Sequence, residues 1–240
     1  MTRLFASDLH LDLSRPEITH QFTDFLAGPA RDAQAVYLLG DLFEAWLGDD
    51  APDPVGATVA DALAALSATG VAVFVMQGNR DFLLGDAFCR QAGARFLPDP
   101  VILTLGASRV LVTHGDALCT GDTPYQRLRS LVRDPAVQRA FLSLPLERRR
   151  VLAGEARAGS RAHLARADEY ITDVSQDAVE QVMREAGVST LLHGHTHRPG
   201  VHHFTLDGRD CTRIVLGDWH RQGSVLRWDE DGYELMAMPR

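Results

Sequence analysis

The sequence predicts a mixed α/β fold of layered sheets and helices, and three patterns predict it. Short β-favouring runs alternate with amphipathic helical stretches over the first part of the chain, an arginine-rich helical stretch interrupts the middle, and two Asp-Gly turns join alternating runs at the end. The 240 residues suit one α/β core carrying an insertion.

Taken in order, "RLFAS" reads as a strand, Pro16 to Ala27 as a helix, "AVYLL" as a strand, Pro54 to Ala68 as a helix and "VAVFVM" as a strand. Strands this short, separated by helical lengths, give βαβα units and hence a largely parallel sheet with helices outside. Beyond "VILTL" and "RVLVT", Leu128, Leu131 and Val132, then Val137, Phe141 and Leu144, recur at helical spacing. Pro135 and Pro145 divide that stretch into short helices, an insertion over the core. A helix around Val174 to Ala186 and the strand "STLLH" follow. The antiparallel end turns at Asp207-Gly208 and Asp231-Gly232.

Composition excludes several classes. Hydrophobic content of 45% with 23% charged residues is that of a globular protein with a sizeable core. Cys89, Cys119 and Cys211 form no C-x-x-C pair, so neither a disulfide framework nor a thiolate zinc site is expected, and a reducing cytoplasm fits. "MTRLFASDLHLDL" lacks the pattern of a secretory leader, and no apolar run approaches the ~18 residues of a membrane span. Any membrane contact is therefore expected to be peripheral. A formal charge of −8 argues against general nucleic-acid binding, yet all 24 basic residues are arginine, and ten lie between Pro124 and Tyr170 against five acidic ones.

The polar residues fall at strand ends. Asp8 and His10 follow "RLFAS", Asp41 follows "VYLLG", Asn79 follows "VFVMQG", His114 follows "RVLVT", and His195 and His197 follow "TLLHG". Ligands of α/β sheets gather outside the carboxyl ends of strands, so two carboxylates, one amide and four imidazoles should converge. Gly40, Gly78, Gly115 and Gly194 accompany them, consistent with sharp turns or close backbone approach. Singly, His114 reads as a core histidine and Asn79 as a turn residue; their ordered recurrence points to metal. Seven N and O donors exceed one tetrahedral site and suit two ions about 3.5–4 Å apart sharing a carboxylate. Without thiolate, Mn, Fe and Zn are candidates, and mixed ligation favours Mn. His193, inside its apolar run, reads as structural.

The ordered motifs "DLH", "GD", "GNRD", "H" and "GHTH" resemble those of the calcineurin-like metallophosphoesterases over residues 8 to 197. That resemblance implies a four-layer αββα sandwich, one domain over 1–240, with a helical lipid-binding cap inserted at 123–170. The segments "YLLGDLFEAWLGDD", "GNRDFLLGDAFCRQAG" and "VLVTHGDALCTGDTPYQ" are similar to the branch acting on UDP-2,3-diacylglucosamine in lipid A biosynthesis. The implied reaction is attack of metal-activated water on the α-phosphorus, giving UMP and 2,3-diacylglucosamine 1-phosphate (lipid X).

The same resemblance implies that Asp8, His10, Asp41 and His197 hold one Mn(2+) and Asp41, Asn79, His114 and His195 a second, with Asp41 as bridge. Asp41, Asn79, Arg80, His114 and His195 form the implied catalytic set. Substrate contacts are implied at Asn79, Arg80, Asp122, Tyr125, Arg157, Ser160 and His195. Leu164 and Ala167 stand where well-known members carry asparagine and lysine, with Arg161 or Arg166 as possible replacements for those contacts. Arg80 stands where the broader family often has histidine; a guanidinium does not serve as general acid, so a fixed phosphate-pairing cation is its expected role. The cap's Leu128, Leu131, Val132, Phe141, Leu142 and Leu146, mixed with arginines, suit a lid facing both lipid and phosphate. Peripheral contact with the cytoplasmic face of the inner membrane of a Gram-negative bacterium is expected, with no nucleic-acid or protein partner. The rival readings are a phosphoesterase acting on nucleic-acid ends or another phosphodiester, and a non-catalytic scaffold, which the complete ligand set disfavours.

Overall fold

The computed structural model describes residues 2–51, 53–164 and 173–238, with 160–164 described as backbone only. The strands are β1 (Arg3–Ala6), β2 (Ala35–Leu39), β3 (Ala72–Met76), β4 (Ala94–Phe96), β5 (Val101–Leu105), β6 (Ser108–Thr113), β7 (Thr190–His193), β8 (Gly200–Leu206), β9 (Arg209–Val215), β10 (Gly223–Trp228) and β11 (Tyr233–Met238). The helices are α1 (Pro16–Ala27), α2 (Pro54–Ser67), α3 (Asp86–Gln91), α4 (Thr123–Val132), α5 (Pro135–Leu142), α6 (Leu146–Leu164) and α7 (Gln176–Ala186).

The strands divide between two sheets, as a four-layer αββα sandwich requires, and the βαβα units of the first part form the parallel portion of one of them. The first has the order β11-β10-β1-β2-β3-β4, the second β5-β6-β7-β9-β8. Parallel pairing runs through β1, β2, β3 and β4 in one and through β6, β7 and β9 in the other; antiparallel pairing adds β10 and β11 at one side of the first and β5 and β8 at the two edges of the second. Strands of 3–6 residues in the first sheet and 4–7 in the second overlap in length, so strand length does not mark in the sequence where one sheet ends. Strand β4 and helix α3, three and six residues long, were too short to show a period.

Alternation along each strand builds the layers. Leu4, Ala6, Val36, Leu38, Val73 and Val75 pack with α1 and α2, whose Ile18, Phe22, Val59 and Leu63 are fully buried. Phe5, Tyr37 and Leu39, one residue out of phase, face Val110, Val112, Leu192 and Ile214 of the second sheet. Leu111 and Leu191 then face Val179 and Met183 of α7. The order is helix, sheet, sheet, helix. Each fully buried Leu, Ile or Phe contributes about 1.5–3 kcal/mol, so the layer contacts are the main source of stability.

Helix starts are written in the sequence. Asp53 accepts from Gly56 N at 2.8 Å ahead of Pro54, and Asp134 accepts from Ala136 N at 2.6 Å ahead of Pro135. Ser175 caps α7, which therefore starts at Gln176 rather than Val174. Helices α4 to α6 stand between β6 and α7 and bury no side chain on α4 or α5 completely. Arg149 of α6 fastens them to the core: its guanidinium reaches Leu47 O at 2.6 Å and the Asp50 carboxylate. Among the described residues, no helix is long and apolar enough to cross a membrane.

Candidate active site

The expected donors do meet, at the carboxyl ends of strands from both sheets. Asp8 and His10 follow β1, Asp41 follows β2 and Asn79 follows β3 in the first; His114 follows β6, and His195 and His197 follow β7, in the second. The convergence therefore depends on stacking two sheets so that their strand ends share one edge. Among the described residues, six non-glycine residues have positive φ, and five are expected donors: Asp8 (56°), His10 (50°), Asp41 (52°), His195 (70°) and His197 (54°). Left-handed backbone costs an L-residue about 1–3 kcal/mol unless its surroundings enforce it, and such positions cluster at functional sites.

Two groups of donor atoms flank Asp41. On one side His10 Nε2 lies 3.7 Å from Asp41 Oδ2 and 3.1 Å from His197 Nε2, which is 3.5 Å from Asp8 Oδ1. On the other, His114 Nε2 lies 3.7 Å from Asp41 Oδ1, and Asn79 Oδ1 lies 3.0 Å from His114 Nε2 and 2.9 Å from His195 Nδ1. Asp41 thus offers one oxygen to each group. The structure brings together all seven expected donors.

Glycine makes the approach possible. A Cβ on Gly78 would overlap both the backbone nitrogen and Oδ1 of Asp41, and one on Gly40, where φ is +88°, would sit 2.5 Å from His114 Nδ1.

Residues outside the expected donor set hold the donors in place. Asp81, fully buried, accepts from Gly78 N at 2.7 Å and Asp41 N at 3.3 Å through Oδ1, and from Leu42 N at 2.7 Å and Phe43 N at 3.3 Å through Oδ2. Glu44 lies 3.1 Å from His10 Nδ1, Asp218 lies 3.4 Å from His197 Nδ1, and Leu39 O lies 2.9 Å from His114 Nδ1. Each leaves the other ring nitrogen turned toward the donor groups, the arrangement by which carboxylates and carbonyls orient metal-binding imidazoles. The signal for Asp218 was present: "VLGDWH" repeats the strand-Gly-Asp pattern of "LLGD".

The electrostatics suit a cation. Burial opposes ionisation of Asp8, but His197, His114 and His10 together hold its carboxyl well below the usual range. Burial likewise opposes the charge on Glu44, which His10 brings down to about 2. Asp81 is pushed up to about 6 by burial and then by Asp41. Asp8 Oδ1 is buried with no hydrogen-bond donor, an acceptor aimed at the imidazole group. Two carboxylates, an amide oxygen and four imidazoles, with one carboxylate oxygen unsatisfied, are a donor set that fits divalent metal.

Metal removal carries a pH signature. Against burial, Asp41, Asp116 and Asp8 raise the His114 imidazole from 6.5 to about 9, and Asp218 and Asp8 raise that of His197 to about 10. Both folded-state values lie above the unfolded one, so the metal-free fold holds more protons than the unfolded chain between about pH 6.5 and 10. Its stability should fall as pH rises through that window. Because a metal takes the deprotonated ring, metal addition at neutral pH is expected to release protons. Titration calorimetry in two buffers of different ionisation enthalpy reads that release; identical heats would contradict it.

A cavity of about 280 Å³ adjoins the donor groups. Asn79, Arg80 and Glu44 stand at its walls with Tyr125, Arg129 and Arg157, and Val132, Val137 and Phe141 line it from α4 and α5. Of the cap's expected apolar residues, Leu128, Val132 and Phe141 line this cavity, Leu128 being exposed as well; Leu131 and Leu142 are exposed and Leu146 is half-buried away from the lining. Arg80 donates its backbone N–H to Asp41 Oδ1 at 2.7 Å, and its Nε is buried without a partner. The Tyr125 hydroxyl donates to Asp116 Oδ2 at 2.6 Å, Arg129 Nε donates to the same oxygen at 2.8 Å, and the Tyr125 ring stacks on His195 with centroids 6.0 Å apart. Asp116 therefore ties α4 to the His114 turn. Asp122 caps α4, accepting from Tyr125 N at 3.0 Å. Ser160 and Leu164 fall where only the backbone of α6 is described, and Arg161 likewise; Arg166 and Ala167 lie outside the described residues. His193 belongs to neither donor group: fully buried, its Nδ1 lies 2.8 Å from Gly194 O and its Nε2 3.4 Å from Arg213 Nη1.

A family model described as calcineurin-like phosphoesterase matches residues 1–199. The chain belongs to the calcineurin-like phosphoesterases. This phosphoesterase is 53% identical over 247 residues, 100% of both chains, to the UDP-2,3-diacylglucosamine hydrolase of Stenotrophomonas maltophilia (strain K279a). It is 51% identical over 242 residues, 98% of each chain, to that of Xanthomonas campestris pv. campestris (strain B100). Among solved structures, a hypothetical protein of Pyrococcus horikoshii OT3 superposes with a TM-score of 0.50 at 11% identity, covering 99% of this chain and 88% of that one; the likeness concerns the fold alone. Membership of a metallophosphoesterase family implies divalent metal, and the two donor groups about Asp41 are where this phosphoesterase would hold it.

Proposed function

We propose that this phosphoesterase hydrolyses the pyrophosphate bond of UDP-2,3-diacylglucosamine, yielding UMP and 2,3-diacylglucosamine 1-phosphate in lipid A biosynthesis. One observation carries the reading: an apolar cavity walled by α4 to α6 opens beside the donor groups at Asn79 and Arg80. An acyl chain and a phosphate can therefore be bound at adjacent places, and full-length relatives are named for this substrate.

Asp8, His10, Asp41 and His197 would hold one Mn(2+) ion, and Asp41, Asn79, His114 and His195 a second. Bound divalent ions lower the pKa of water and neutralise phosphoryl oxygens. The residues do the rest. Asn79, held between two imidazoles, and Arg80, fixed through its backbone to Asp41, flank the phosphate, and the Arg80 guanidinium pairs with its oxygens without giving up a proton. Water supplies the new oxygen on the α-phosphorus, the bond from that phosphorus to the bridging oxygen breaks, and the sugar phosphate leaves as an anion that needs no strong acid. Residues 123–170 serve as the lid, with Arg157 and Tyr125 toward the polar end of the substrate and Val132 and Phe141 toward the acyl chains.

Peripheral association with the inner membrane belongs to the same proposal. Leu131, Leu142, Val151 and Leu152 are exposed on the arginine-rich helices, and basic charge combined with apolar groups is what stable surface binding needs. Failure to float with anionic vesicles at low salt would remove that element.

The deciding assay compares UMP release from UDP-2,3-diacylglucosamine with cleavage of DNA ends and an aryl phosphate; activity on DNA alone would overturn the proposal. Within it, Arg80→Ala is expected to raise KM about tenfold or more, the loss of a charged phosphate contact, while metal content stays that of the parent. A metal-depleted Arg80→Ala protein would assign Arg80 to the metal site instead.

A further inference from the structure

The loop between β9 and β10 enters the donor cluster from a direction that none of the family motifs covers. Its segment Asp218-Trp219-His220 is held at three points. Trp219 is fully buried against Phe22 and Phe25 of α1, with ring centroids 5.6 and 5.9 Å away, and its backbone N–H donates to Asp8 O at 3.3 Å. Gly217 N donates to Ser224 Oγ at 3.0 Å, and His220 N donates to Asp218 Oδ1 at 2.9 Å. These contacts fix the backbone at His220, whose exposed ring lies beside those of His10 and His197. Its centroid lies 5.6 Å from that of His10 and 5.8 Å from that of His197, edge-on to His10. One nitrogen of each of the three rings lies within 4.8 Å of the others.

We infer that His220 is a further protein donor for the ion on the His10 side. Three imidazoles crowded at this distance gain little from one another, whereas a shared cation draws all three toward it. Asp8, His10, Asp41 and His197 supply four donors to that ion, and Mn-type ions accept up to six, so His220 has a position to fill. The inference rests on the two-ion reading above and adds a residue that no motif of the sequence assigned.

The test reads metal, not turnover. Chelated full-length protein is reloaded with Mn(2+), and free Mn(2+) is followed by electron paramagnetic resonance for the parent, His220→Ala, His220→Gln and the control His203→Ala, an exposed histidine beside Thr212. The parent and control are expected to bind two ions per chain. In both His220 variants one of the two sites should weaken about tenfold or more, the other holding, as loss of groups about a metal ligand costs 10- to 100-fold in affinity. Unchanged Mn(2+) affinity at both sites overturns the inference, and a raised KM alongside it would give His220 to the substrate. A fall at both sites together with a lowered Tm of the chelated variants also overturns it, since His220 would then only brace the loop. Failure of the parent itself to bind two ions would instead overturn the two-ion reading.

Discussion

Asp41→Ala is expected to reduce kcat by about 10⁴-fold or more while leaving the protein folded, because one side chain then vanishes from both donor groups. The fold tolerates it because relief of charge repulsion offsets the cost of alanine at a left-handed position. Asp41 stands close enough to the buried Asp81 to push the latter's carboxyl up, so its removal relieves like-charge repulsion as it forfeits the hydrogen bond from Arg80 N. Circular dichroism and Tm check the fold, metal analysis checks the ions, and UMP release checks turnover. Near-normal turnover in a folded variant would contradict a shared carboxylate at the centre of the site.

Asp81→Asn should act on the fold first. Each carboxylate oxygen accepts two backbone N–H groups, from Gly78 and Asp41 at one and Leu42 and Phe43 at the other. An amide has a single acceptor oxygen, so its NH₂ must face two buried donors. Two unsatisfied groups cost about 2–6 kcal/mol together, which for a chain of this size lowers Tm by about 5–20 °C. A shift under about 2 °C would show that the turn after β2 does not depend on this carboxylate. Metal affinity should weaken in parallel, since the same turn sets the backbone of Asp41.

Much of this site was legible because its donors are of a distinctive kind at a distinctive place. Asp8, Asp41, Asn79, His114 and His195 each lie just beyond an apolar run, and that placement needs no knowledge of which sheet the run joins. The division into two sheets was not legible from the runs themselves: Phe5 and Leu4 are both apolar, and only their opposite burial partners reveal a strand with a layer on either face. The groups behind the donors were harder still. Asp81 stood in the quoted "GNRD" and Asp116 in "HGD", yet a carboxylate that accepts backbone N–H groups or anchors Tyr125 looks, in sequence, like any turn residue. Asp218 and His220 required extending the strand-Gly-Asp pattern to the strand before the last hairpin.

The left-handed backbone at Asp8, His10, Asp41, His195 and His197 has a consequence for descent. Asparagine, aspartate, histidine and glycine tolerate that conformation far better than alanine or a β-branched residue. A lineage of this fold that abandons catalysis is thereby freed from the metal but not from the turn. Its former donor positions should drift toward asparagine and glycine, leaving a fossil of the metal site in residues that no longer bind anything.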